Sequence, residues 1–189
     1  MITISKSVLI SIQPYYVFLI IAKAMGWNIT QEKTIEVRKT IPKDKAWDKK
    51  AIIYCSKNKK SFAKIPKEYQ PLMNRFLGKV IGNFVCDSII SHCEMANADI
   101  AEQQGCIKRE TLLEYSNGKE LFGLHISNLV IYDKPKELSE FKHDCNGICV
   151  DTKAKIKCER FLKEGFSCSK LKPFKRPFQS WGYVYETDT

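Results

Sequence analysis

This sequence has no apolar run long enough to span a bilayer. Tyr15–Ala22 is apolar throughout but far short of the roughly 20 residues a spanning helix needs. The start, Met1–Ser7, is polar and has no signal-peptide pattern, so a cytoplasmic protein with no membrane partner is expected. Disulfides are not expected in that compartment, so the eight cysteines read as free thiols or metal ligands. No CxxC pair occurs, which removes the usual zinc-knuckle signature. There is no internal repeat and no low-complexity tract, which excludes solenoids and linker-like chains. Acidic residues are also short, with 21 Asp and Glu against 31 Lys and Arg, a net charge of +10.

That charge is uneven. Residues 31–80 carry 14 Lys and Arg against 5 Asp and Glu, whereas residues 81–141 carry 5 against 10. A basic field confined to one segment favours a polyanionic partner, most simply nucleic acid. A solvated Lys-rich surface gives the same count. At 189 residues the chain is long enough for one domain with a sizeable core.

Val8–Ile12 reads as a buried first strand. Pro14 suits the first turn of a helix, and Tyr15–Met25 is apolar nearly all round, as a buried helix is. Gly26 is placed to cap it. Further strands are expected at Lys33–Thr40, Ala51–Cys55, Gly78–Ile90, Leu121–Tyr132 and Gly182–Glu186, with Asp133-Lys134-Pro135 ending the fourth. Gly82, in mid-strand, predicts a bend or bulge. Helices are expected within Pro66–Leu77 and over Cys106–Ser116, the latter capped by Asn117-Gly118. The sum is an α+β protein, a small, mostly antiparallel barrel with flanking helices.

The stretch Lys33–Thr40 holds the most chemistry. With a period of 2, Ile35 and Val37 share one face, and Thr34, Glu36 and Arg38 share the other at steps of about 7 Å. Lys33 stands at the entrance. An acid, a base, a hydroxyl and an amine in one place can bind a small polar group. An exposed strand with a cross-face ion pair has the same pattern.

Several pieces in order carry a family resemblance. They are Ile10-Ser11-Ile12-Gln13-Pro14, Lys33-Thr34-x-Glu36-x-Arg38, Gly78-x-x-x-Gly82-x-Phe84, Leu124-His125-Ile126-Ser127 and Arg176-Pro177-Phe178-Gln179-Ser180-Trp181. Over about residues 8–135 and 174–186 the chain resembles the ASCH domain of the PUA-like superfamily, most closely its bacterial and phage members. The resemblance implies a single domain over residues 1–189 with a PUA-like mixed or antiparallel barrel and a Cys-rich insertion at about 139–172. It also implies an RNA- or nucleotide-binding cleft beside the K-T-x-E-x-R strand, lined by Lys33, Thr34, Glu36 and Arg38. One branch of the superfamily hydrolyses N4-acetylcytidine with a Thr nucleophile where this chain has Glu36 and a partner Lys matching Lys33. A carboxylate cannot replace that hydroxyl, which argues against this chemistry. Some ASCH proteins are nucleases, and Lys33 with Glu36 would be the acid-base candidates for an enzyme acting on RNA or a modified nucleoside.

Gln13, Trp47, Ser180 and Trp181 are further candidate ligand contacts. Trp47 sits among lysines, as suits single-strand binding, and Trp181 either stacks on a base or plugs a barrel end. His125 reads first as a hydrogen-bonding or core histidine. Cys145, Cys149, Cys158 and Cys168 lie within 24 residues, enough for one tetrahedral Zn²⁺, while free thiols are the simpler account of them. Cys55, Cys86 and Cys106 read as small buried hydrophobes. The leading reading is an RNA- or nucleotide-binding module. An enzyme on nucleic acid and a protein-binding accessory module remain open beside it.

Overall fold

Residues 4–43, 50–143 and 172–187 are described by the computed structural model. The class is α+β as expected. The strands divide between two sheets, and no closed ring is formed among the described residues. The larger sheet has the order β7 (Ser127–Glu137), β4 (Lys79–Val85), β3 (Lys50–Cys55), β1 (Ile4–Ile12), β10 (Trp181–Thr187), β8 (Lys142–His143) and β9 (Lys172–Pro173), and the smaller the order β2 (Ile35–Arg38), β6 (Phe122–His125) and β5 (Ile89–Ile90).

The centre of the large sheet is β1 (Ile4–Ile12), paired in parallel with β3 (Lys50–Cys55) and antiparallel with β10 (Trp181–Thr187). Both faces of β1 are buried, which explains its continuous apolar run. Val8, Ile10 and Ile12 join Ile53 and Cys55 in the main core. Leu9 joins Ile52, Tyr54 and Val184 on the opposite face.

Helix α1 (Pro14–Ile21) lies against the first face, with Val17 to Ile21 buried and Pro14 at its first position. Beyond it the chain closes as predicted at Gly26. Gly26 has φ +66°, its N–H reaches Lys23 O, and Trp27 N–H reaches Ala22 O. That is the paired closure of a Schellman cap. Trp27 then stacks on Phe18 and leans on Tyr69. This anchors the short helix α3 (Gln70–Asn74) over α1.

The expected long strand Gly78–Ile90 is two strands, β4 (Lys79–Val85) and β5 (Ile89–Ile90), which belong to different sheets. Gly82 in β4 marks an irregularity, as predicted. The register slips there against both β3 and β7 (Ser127–Glu137). A Cβ on Gly82 would meet Val130 O at 2.2 Å, so only glycine lets β7 approach.

Strand β7 also corrects the expected stop at Asp133-Lys134-Pro135, since it continues to Glu137. It is the edge of its sheet, where a proline costs no ladder bond. A single 3₁₀ turn (Leu138–Glu140), β8 (Lys142–His143) and β9 (Lys172–Pro173) complete the far edge. Most of the Cys-rich segment, including Cys145, Cys149, Cys158 and Cys168, lies outside the described residues, as does Trp47.

The small sheet has its own core. Ile35 and Val37 of β2 (Ile35–Arg38) pack with Cys93, Ala101, Leu112 and Leu121 beneath α4 (Ala98–Gly105) and α5 (Arg109–Ser116). Helix α4 was not expected from the sequence. Asn117 ends α5 in the left-handed conformation, as predicted. No helix among the described residues is long and apolar enough to cross a membrane.

Gly82→Ala tests the strand contact. The added methyl forces β4 from β7, and a loss of about 1–3 kcal/mol is expected in urea unfolding. Unchanged stability would show that β7 does not depend on the missing side chain.

Candidate functional site

Strand β2 begins at Ile35, two residues later than its sequence pattern suggests. This changes what Lys33 and Thr34 do. Thr34 does not share a ligand-facing wall with Glu36 and Arg38. Its N–H donates to Gln104 O at 2.8 Å, and its carbonyl accepts from Ile126 N–H. Its hydroxyl is 3.5 Å from Gln104 Oε1. Lys33 is not at an open entrance either. Its side chain is 1% exposed, and its ammonium donates to Gly105 O at 2.7 Å. The Lys-Thr pair therefore closes the C-terminal end of α4, where orphan carbonyls and the helix dipole favour a cation.

Glu36 lies in β2 opposite Leu124 of β6 (Phe122–His125) and is buried, against the expectation of a wet face. Its carboxylate is shared by two cations. Lys33 Nζ is 3.4 Å from Oε2, and Arg38 Nη2 is 2.8 Å from Oε1. Arg38 Nη2 also donates to Ser11 O at 2.7 Å, tying the small sheet to β1 of the large one. Burial pulls the Lys33 ammonium below its ordinary pKa, and the Glu36 carboxylate opposes that shift. Burial also raises the Tyr16 phenol, with the Glu36 charge adding to it. The Lys33 ammonium lies 4.9 Å from the centre of the Tyr16 ring.

This cluster forms one wall of a chamber of about 250 Å³. Gln13, Lys33, Glu36 and Arg38 of the predicted set all line it. Tyr16, Lys64, Thr111 and Tyr115 complete the lining and were missed as site residues. Tyr16 had been absorbed into an apolar helix and Lys64 into a Lys-rich surface. Thr111 and Tyr115, four apart on α5, share one helix face, a spacing that would have found them. Lys64 is placed by α2 (Lys59–Phe62), whose Asn58 cap accepts from Ser61 N–H and whose Ser61 hydroxyl accepts from Tyr15 N–H.

Two buried atoms of the wall are short of hydrogen bonds. Arg38 Nε has no hydrogen-bond partner among the described residues, and Glu36 Oε2 has only the ion-pair contact to the Lys33 ammonium at 3.4 Å. Buried polar atoms are nearly always satisfied, so this pair calls for an explanation, such as a water or a further group.

The remaining candidates lie elsewhere. Trp181 is not in the chamber lining. Its indole N–H donates to Thr40 O and is equally close, at 3.0 Å, to Thr40 Oγ1. Ser180 is likewise outside the lining and uses its carbonyl to accept from Ser11 N–H. His125 is a hydrogen-bonding histidine, 2.6 Å from Asp87 Oδ1. Cys55 and Cys86 are buried as expected, and burial pushes the Cys55 thiol up to about 12. Cys106 is only half-buried, with φ +53°, and its thiol sits near Glu32 O at 3.5 Å. Among the described residues, no group of three His, Cys, Asp or Glu is placed to hold a metal.

The buried triad has a stability consequence. Glu36→Gln leaves Lys33 and Arg38 without a counter-charge and is expected to cost about 3–5 kcal/mol in urea unfolding. Adding Lys33→Met should recover part of that loss. A Glu36→Gln protein as stable as wild type would overturn the shared-carboxylate arrangement. The hydrogen bond to His125 holds the Asp87 carboxyl below its ordinary 3.8. A depressed carboxyl contributes stability above its unfolded pKa and loses it as pH falls through the folded one. Asp87→Asn should therefore flatten the acid loss of stability below about pH 4. Unfolding midpoints that fall equally in both proteins would exclude this pair as a contributor.

No family model matches the chain, and no curated protein matches it. Among solved structures, the chain is similar to the crystal structure of ASCH from Zymomonas mobilis. The identity is 17% and the TM-score 0.47, over 70% of this chain and 73% of that one. A Tyr-to-Phe mutant of the same protein aligns at 16% identity and TM-score 0.44, over 70% of this chain and 76% of that one. A Ser-to-Ala mutant aligns at 15% and 0.42, over 68% and 70%.

Proposed function

We propose that the chamber binds a nucleobase of RNA or of a free nucleotide. The observation that carries this reading is the under-satisfied pair in its wall: Arg38 Nε, which has no hydrogen-bond partner among the described residues, and Glu36 Oε2, which meets only the Lys33 ammonium. One is an acceptor and the other a donor, and they belong to side chains that already touch each other. A nucleobase edge presents the complementary pair, an amine beside a ring nitrogen or carbonyl. Single-stranded RNA is read through such edges when its bases are splayed into pockets. Tyr16 and Tyr115 offer aromatic surface for the base, and Lys64 offers an exposed cation for phosphate.

A binding role fits Glu36 better than acid-base catalysis. Its carboxylate already serves as the shared counter-charge of Lys33 and Arg38, which ties it into the wall. An enzyme would need a proton carrier or nucleophile elsewhere in the chamber.

The test avoids residues that hold the fold. Gln13 and Lys64 line the chamber but are exposed. Gln13→Ala with Lys64→Ala should keep the unfolding midpoint and weaken binding of a labelled single-stranded RNA by about tenfold or more. Loss of Lys64 should reduce the slope of log affinity against log salt by about 1. Full affinity in the folded double variant would sink the proposal. Wild-type protein should leave N4-acetylcytidine and a short RNA unchanged, and turnover of either would put an enzyme first.

A further inference from the structure

A second chamber, of about 500 Å³, adjoins the first. Tyr16, Lys64, Ile107 and Thr111 line both, so the two are continuous across a common ridge. The inner chamber, about 250 Å³, falls below the range of roughly 300–1,000 Å³ that holds a drug-sized molecule. It has room for a base, not for a chain of nucleotides. The outer chamber has twice that room and a different chemistry.

Resting on the base-binding reading above, we infer that the groove takes a single strand of RNA rather than a lone nucleotide. One base enters the inner chamber and its neighbour occupies the outer one. The phosphate joining them lies over the ridge at Lys64 and Thr111. A cation and a hydroxyl are the groups that hold a phosphodiester, and here they stand where the two chambers meet.

The charges of the outer chamber fix the arrangement. Glu102, also in its lining, accepts from Arg109 N–H at 3.4 Å at the start of α5. That carboxylate is engaged at the helix end and offers no site to a phosphate, whereas Lys64 and Thr111, shared by both chambers, do. Tyr15 gives the outer chamber an aromatic surface, and Gln31 gives it a donor and an acceptor. Lys108, the residue before α5, adds a cation to the outer lining.

The test is competition against a labelled random-sequence single-stranded RNA. The competitors are the mixed ribonucleoside 5′-monophosphates and the mixed ribodinucleoside monophosphates. The dinucleotides should compete about tenfold better or more. Gln31→Ala with Lys108→Glu should remove that advantage and leave competition by the mononucleotides unchanged. Mononucleotides that compete as well as dinucleotides would overturn the second subsite and leave the base-binding reading standing. A dinucleotide advantage that survives the outer-chamber variant would place the second nucleotide elsewhere and also overturn the inference. RNA binding untouched by every competitor, or no RNA binding at all, would overturn both.

Discussion

One carboxylate holds this site together. Glu36 is the only acid between Lys33 and Arg38, and all three lie in the wall where the two sheets meet. Each partner carries a second bond to a different part of the fold. Lys33 holds the last carbonyl of α4, and Arg38 holds Ser11 O at the end of β1. The ion cluster therefore fixes the distance between a helix of the small sheet and the central strand of the large one. Desolvating three charges is expensive, and hydrophobic residues of similar size would stabilise such a junction as well. What apolar packing would lack is a donor and an acceptor left over at a set spacing. On the proposed reading, Arg38 Nε and the under-satisfied Glu36 Oε2 are the atoms that meet the base.

The fold supplies rigidity behind that wall. Strand β1 is buried on both sides, and its neighbours β3 and β10 place apolar residues on both faces too. Helix α1 caps one face, and its N-terminal turn presents Tyr15 and Tyr16 to the groove. Ser61 links that turn to the segment that carries Lys64. The opposite bank is α5, whose Thr111 and Tyr115 look across from the small sheet. The groove is thus bounded by elements of both sheets, and Arg38 is the bond that spans them.

The parts of the fold ruled by local physics were legible in the sequence. The all-apolar α1, the proline at its start, the Gly26 closure and the Gly82 slip each have a cause within a few residues. Helix α4 was not legible, because it buries only Ala98, Ala101 and Gly105 and ends on a left-handed Cys106 instead of a glycine. Missing α4 misplaced Lys33 and Thr34. Without a helix end to cap, they looked like the first residues of a strand, and counting by twos set Thr34 beside Glu36. The last third of β7 was misjudged for a similar reason. Pro135 stops an interior strand, but only the sheet order shows that β7 is an edge. Of the residues lining the inner chamber, Lys33, Glu36 and Arg38 stood out in the strand pattern and Gln13 in the resemblance, whereas Tyr16 and Lys64 reach it only through tertiary contacts.

The electrostatics divide the work between buried and exposed groups. Two cations sharing one carboxylate leave the wall short of negative charge, and burial opposes the charged form of Lys33. A ligand group bearing negative charge in the chamber would act on Lys33 as Glu36 does, favouring the ammonium and repaying part of its desolvation. On the proposed reading the buried triad faces the base edge. Lys64, whose side chain is exposed, then takes the phosphate, whose contribution falls with salt. That reading puts specificity in groups whose loss also weakens the fold, and affinity in groups whose loss does not.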